Sequence, residues 1–162
     1  MTDLSKSEQY IKSHRDETID TMLRFAATDL LLFWSDNAEV YARQLKLWQP
    51  FLKCFEKGSG TEIKISQSLE IPNNEQCFLW VKNKLNSMPD KELTAAFLAA
   101  TQVKSVFLGL SILNKEISVD EVFNAAFLED IYQNELWGTD KEAFEKREKV
   151  REELNTIKDW LK

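Results

Sequence analysis

Only four glycines and three prolines punctuate this chain of 162 residues, so long stretches run without a residue that forces a turn. Glycine and proline are the main helix breakers, and where they are scarce the spacing of apolar side chains decides the fold. Tyr10, Ile11, His14, Ile19, Met22, Leu23 and Ala26 recur at helical intervals and predict a first helix from about Ser7 to Ala27. A second is expected over Ala38 to Lys57, kinked or restarted at Pro50 and closed by Gly58-Ser59-Gly60. A third follows Asn73 and Gln76 and ends at Met88-Pro89, and a long fourth begins at Asp90. The weakly charged stretch Leu93 to Leu113 approaches membrane-spanning length, but its Lys104, Gln102, Thr94, Thr101, Ser105 and Ser111 make it a central core helix instead.

Two later starts carry the spacing in which a hydroxyl and a carboxylate satisfy each other's free amides: Ser118 with Glu121, and Thr139 with Glu142. They predict helices over Val119 to Trp137 and Asp140 to Leu161, with Gly138 between them as a C-cap. Two segments read as strands. Leu30 to Trp34 is a short apolar run, and Thr61 to Leu69 alternates Ile63 and Ile65 against Glu62, Lys64 and Ser66. The expectation is therefore a single α+β domain over residues 1–162, predominantly helical, with about six helices around a long central one and a small sheet of two or more strands.

Composition narrows the function. With 43% hydrophobic residues, five Trp and ten Phe, the chain can bury roughly two thirds of its unfolded surface. A net charge of -6 opposes attraction to nucleic acid or anionic lipid, although a basic face created only by folding is compatible with it. The polar start from Met1 to Tyr10 has no export or organelle signal, so a cytoplasmic location is expected, without membrane insertion. Cys54 and Cys77 fit neither a CxxC pair nor a disulfide framework, and each reads as a small buried hydrophobe.

Groups for catalysis are scarce. His14 is the only histidine, no glycine-rich phosphate loop or nucleophile elbow is present, and the usual zinc ligand spacings are missing. No enzyme, cofactor or metal is expected. The informative stretch is Leu128 to Gly138. On one continuous helix, Glu129 and Gln133 share an arc of about 120° with Val119, Val122, Ala125, Ala126, Leu136 and Trp137. A carboxylate within an apolar face needs a partner or water. Two readings stand side by side. One is an internal pair with Lys104, the only charge in Leu93 to Leu113. The other is a concave partner-binding surface, with Glu129 offering acceptors and Tyr132 or Trp137 offering contact area.

The pattern L-E-x-x-Y-Q-x-x-x-W-G over Leu128 to Gly138 also resembles the signature of the chaperone family that binds the F-type ATP synthase α subunit before the catalytic head assembles. Supporting matches are Thr28-Asp29-Leu30-Leu31, the Gln44-x-x-x-Trp48-x-Pro50 segment, and Leu93 to Leu113 followed by Ser118-Val119-Asp120-Glu121. The resemblance runs from about Ile19 to Arg147. It corresponds to the helical C-terminal domain of such proteins, while the mainly β domain that usually precedes it has no counterpart here. It implies that the chain holds unassembled α subunit and that Glu129, following the signature Leu, is functional; together with Gln133, Tyr132 and Trp137 of the same face it forms the expected partner-binding set. Trp48 and Pro50 belong to a kinked, packed helix and rank as structural. The alternative is a helical adaptor or regulatory module that uses the same face for another protein.

Overall fold

The computed structural model describes residues 3–162. Ten α-helices follow in order: α1 (Leu4–Ser13), α2 (Arg15–Ala26), α3 (Ala38–Leu47), α4 (Gln49–Ser59), α5 (Glu75–Ser87), α6 (Asp90–Val103), α7 (Val106–Ser111), α8 (Val119–Ala126), α9 (Leu128–Trp137) and α10 (Lys141–Trp160). The fold is all-helical, and the expected α+β class is corrected accordingly. Ten helices arise where about six were expected because four of the predicted rods are each divided once, at His14, Trp48, Lys104-Ser105 and Phe127.

No β-strand forms among the described residues, for an identifiable reason. Leu30–Leu32 winds into a 3₁₀ turn whose first amides are drawn in by Asp29, and the Trp34 indole donates to the Leu31 carbonyl at 2.8 Å. In the other expected strand, side chains take the groups that a ladder would need. Ile63 N donates to the Glu56 carboxylate at 2.8 Å, and the Asn74 amide brackets Lys64, accepting from its N–H at 2.7 Å and donating to its carbonyl at 2.9 Å. The two segments do meet, but only through one parallel bridge between Phe33 and Ser66, with hydrogen bonds of 2.7 and 2.8 Å. Ile63 is buried as alternation predicts, whereas Leu69 is 97% exposed.

Helix α6 is the centre, with α1, α2, α7 and α10 packed around it. Its Leu93, Ala95, Ala96 and Ala99 are fully buried, and α7 approaches it closely where Gly109 faces Ala100. A Cβ added at Gly109 would stand 2.6 Å from that of Ala100, inside any tolerable contact. The central stretch Leu93 to Leu113 is thus buried as expected but cornered rather than straight. Lys104 takes a left-handed conformation at φ 57°, and Ser105 then caps α7 by accepting from Leu108 N at 3.1 Å.

Asp29 fixes that corner from across the chain. It is 2% exposed and accepts from Leu31 N and the Ser105 hydroxyl on one oxygen, and from Val106 N and Phe107 N on the other. Burial lifts its carboxyl from 3.8 to about 6, against the opposing pull of these donors. Similar fastening occurs at Arg15, whose guanidinium pairs with Asp90 at 2.7 Å and donates to the carbonyls of Leu85, Asn86 and Met88 at the end of α5. Cationic groups suit that end of a helix, where carbonyls lack partners.

Outside these anchors, Cys77 is buried, while Cys54 is exposed, contrary to expectation, and both are free thiols. His14 stacks on Tyr10 with ring centroids 4.0 Å apart. Among the described residues no helix is long and apolar enough to cross a membrane.

Candidate functional site

The expected helix Val119 to Trp137 begins as predicted. Ser118 and Glu121 form the reciprocal capping box, and Val119, Val122 and Ala125 turn inward. It breaks at Phe127, whose backbone leaves helical geometry at φ -108° and ψ 23°. The break resets the rotation of everything that follows, so the single apolar arc divides in two. Its first half lines the core. Its second half, Glu129, Gln133, Leu136 and Trp137, lies exposed on α9. Glu129 therefore needs no buried partner, because water solvates it.

Only Leu128 of α9 is buried, and one arginine on α3 does much of the remaining holding. Arg43 lies over the Tyr132 ring at 4.9 Å, pairs with Glu135 at 2.5 Å, and reaches Glu39 on its own helix at 3.5 Å. The hydrogen bond to Glu135 raises the guanidinium above its ordinary range, so Arg43 keeps its charge. Arg43 was not singled out in the sequence, where only its helical spacing from Glu39 hinted at a role.

Between the start of α3 and the outer side of α9 lies a hollow of about 270 Å³. Ser35, Asn37 and Val40 form one wall, and Glu129, Tyr132 and Gln133 the other. Leu136 and Trp137 close its end at 55% and 83% exposure. Its lining holds no histidine, cysteine or second carboxylate. What it offers is binding chemistry: a bare carboxylate, a carboxamide, an indole and a leucine side by side on a surface that no other element covers among the described residues. Buried aromatic anchors and a few polar groups are the usual source of interface energy.

Four of the residues singled out in the sequence thus come together, namely Glu129, Tyr132, Gln133 and Trp137. Lys104 does not join them. It sits on the rim of a separate hollow of about 410 Å³ beside Thr21, Phe25 and Phe97, and makes no ion pair with Glu129. Trp48 is 1% exposed and donates its indole N–H to the Ala125 carbonyl at 2.7 Å, tying the start of α4 to the end of α8. Pro50 occupies the first turn of α4, where its missing amide costs nothing.

No protein-family model matches this chain. Among solved structures, Atp12 from Paracoccus denitrificans superposes with a TM-score of 0.87 at 19% identity, over 96% of this chain and 67% of that one. A point mutant of the same Paracoccus protein matches equally well, at 20% identity. Atu1473, a candidate chaperone from Agrobacterium tumefaciens, matches with a TM-score of 0.83 at 24% identity, over 93% of this chain and 57% of its own length. This chain has the fold these proteins share, and the resemblance read from Leu128 to Gly138 is borne out at that level.

Proposed function

We propose that this chain is a cytoplasmic assembly chaperone that binds the unassembled α subunit of F-type ATP synthase and covers its subunit interface until the catalytic head forms. The observation that carries the reading is the outer side of α9, where Leu136 and Trp137 stand exposed beside an unpaired Glu129 on the Atp12 fold. A monomer gains nothing from leaving an indole 83% exposed next to an unpartnered leucine, whereas a protein that shields another's apolar interface needs such a surface. Glu129 and Gln133 would fix register and Tyr132 and Trp137 supply contact area, with no covalent step. Net charge adds selectivity, since a surface at -6 repels acidic bystanders and favours clients with basic rims.

The test is co-purification with α subunit expressed alone. The native chain should retain soluble α subunit, Trp137→Ala and Glu129→Gln should lose it, and both variants should keep native helicity. If the folded native chain neither binds α subunit nor keeps it soluble, the surface serves a different protein and the chain is an adaptor.

A further inference from the structure

A second surface, independent of α9, gathers positive charge in this acidic chain. Lys91 at the start of α6, Lys115 in the α7–α8 loop, Lys158 near the end of α10 and Lys162 just past it all line one hollow of about 630 Å³. They come from three segments remote in sequence, and only Glu92 among the lining side chains is acidic. The floor is apolar, formed by Ile112, Leu113 and Leu161 with Pro89 at the edge.

The lysines differ in how far they are already committed. Lys158 donates to the carbonyls of Ile112, Asn114 and Ile117 at 3.2, 2.7 and 2.5 Å, and so holds the loop that forms one wall. Burial pulls its ammonium below the ordinary lysine range, so an anion nearby would stabilise a charge that is short of water. Lys162 reaches the exposed Asp159 at 3.2 Å, and Lys91 lies 5.0 Å from the Trp160 ring. Lys115 is exposed and makes no ion pair among the described residues. Asp159 offsets Lys162, Glu92 lies in the lining and Glu121 acts on Lys158, but carbonyl and ring contacts do not neutralise an ammonium, so Lys91 and Lys115 leave the rim positive by a small margin.

We propose that this hollow docks an acidic, apolar peptide segment of a partner protein, its carboxylates meeting Lys91 and Lys115 while a leucine-like side chain covers Ile112, Leu113 and Leu161. A volume of 630 Å³ suits a short segment of a few side chains. A polyphosphate is the poorer fit, because no glycine-rich loop presents amides here and an apolar floor offers phosphate nothing. The positive rim would also steer acidic segments that the rest of the surface repels.

The experiment titrates the native chain with an end-capped peptide of alternating Glu and Leu carrying a neutral dye, read by fluorescence anisotropy. Saturable binding is expected, weakened about tenfold in the Lys91→Glu, Lys115→Glu double variant, weakened by added salt, and unchanged in Glu129→Gln. The Lys91→Arg, Lys115→Arg double variant should bind as the native chain does, which separates lost charge from lost folding. No binding, equal affinity for a Lys-Leu or Glu-Ser peptide, an unaffected Lys→Glu variant, or displacement by tripolyphosphate at a concentration where sodium chloride of equal ionic strength has no effect would each overturn the proposal. Failure here leaves the α-subunit reading untouched, since that test rests on Glu129 and Trp137.

Discussion

Every residue of α7 is buried, whereas α9, a longer helix, buries only Leu128. The two helices also receive carboxylates in opposite ways. Asp29 is closed in at the head of α7 and fully engaged by four donors, while Glu129 stands in water at the start of α9 with no partner among the described residues. A carboxylate inside the core is held there for the sake of the corner it builds. One left bare in the first turn of a thinly anchored helix gains at most the small dipole stabilisation of that position, and its carboxylate stays open to solvent. The contrast separates residues that maintain the molecule from residues available to a partner.

The largest test of this division is Asp29→Ala, which strands the Leu31, Val106 and Phe107 amides and the Ser105 hydroxyl in the core. It should cost about 3–5 kcal/mol in urea denaturation, against less than about 0.5 kcal/mol for Glu129→Ala. Equal losses would break the comparison. Next comes Gly109→Ala, where the added methyl meets Ala100 and must push α7 from α6, for about 1–3 kcal/mol with no change in the exposure of α9.

A pH series sharpens the same point. The Asp29 carboxyl titrates near 3.8 when unfolded and about 6 when folded, so folding takes up a proton between those values. The stability this provides is complete below the lower value and lost as pH rises through the upper one. The unfolding midpoint of the native chain minus that of Asp29→Asn should therefore fall between pH 4 and pH 7, and a difference that rises over that range would contradict the burial argument. The smallest effect belongs to Arg43→Ala. Its pair with Glu135 is partly exposed, so global stability should drop by less than about 1 kcal/mol, while amide exchange in α9 accelerates and that in α7 does not.

Signals at helix ends were legible in the sequence, and the contacts that side chains make on folding were not. Ser118 and Glu121 announce their helix and form the predicted box, Ala38 begins a helix as expected, and Gly60 and Gly138 close helices at positive φ. Thr139 and Glu142 carry the same spacing, yet α10 opens at Asp140 without a side-chain cap. The missing strands and the corner at Lys104 share one cause. Each depends on a side chain that captures backbone groups, Asp29, Glu56 and Asn74 at separations of 2, 7 and 10 residues for the strands and Asp29 at 76 for the corner, and apolar periodicity is blind to such partners. The α9 pattern was visible as residues but misplaced as a face, because the break at Phe127 leaves no glycine or proline to mark it. Lysines gathered from three distant segments leave no trace in net charge.

The bond between Asp29 and Ser105 spans 76 residues. During synthesis the carboxylate therefore emerges long before any of its donors beyond Leu31, and must stay hydrated until Phe107 has followed. A nascent chain that stops short of that point lacks the Ser105, Val106 and Phe107 donors, so burying the Asp29 carboxylate would leave it short of three of its four partners. The full set of donors thus exists only once the start of α7 is present, with α8, α9 and α10 still to follow.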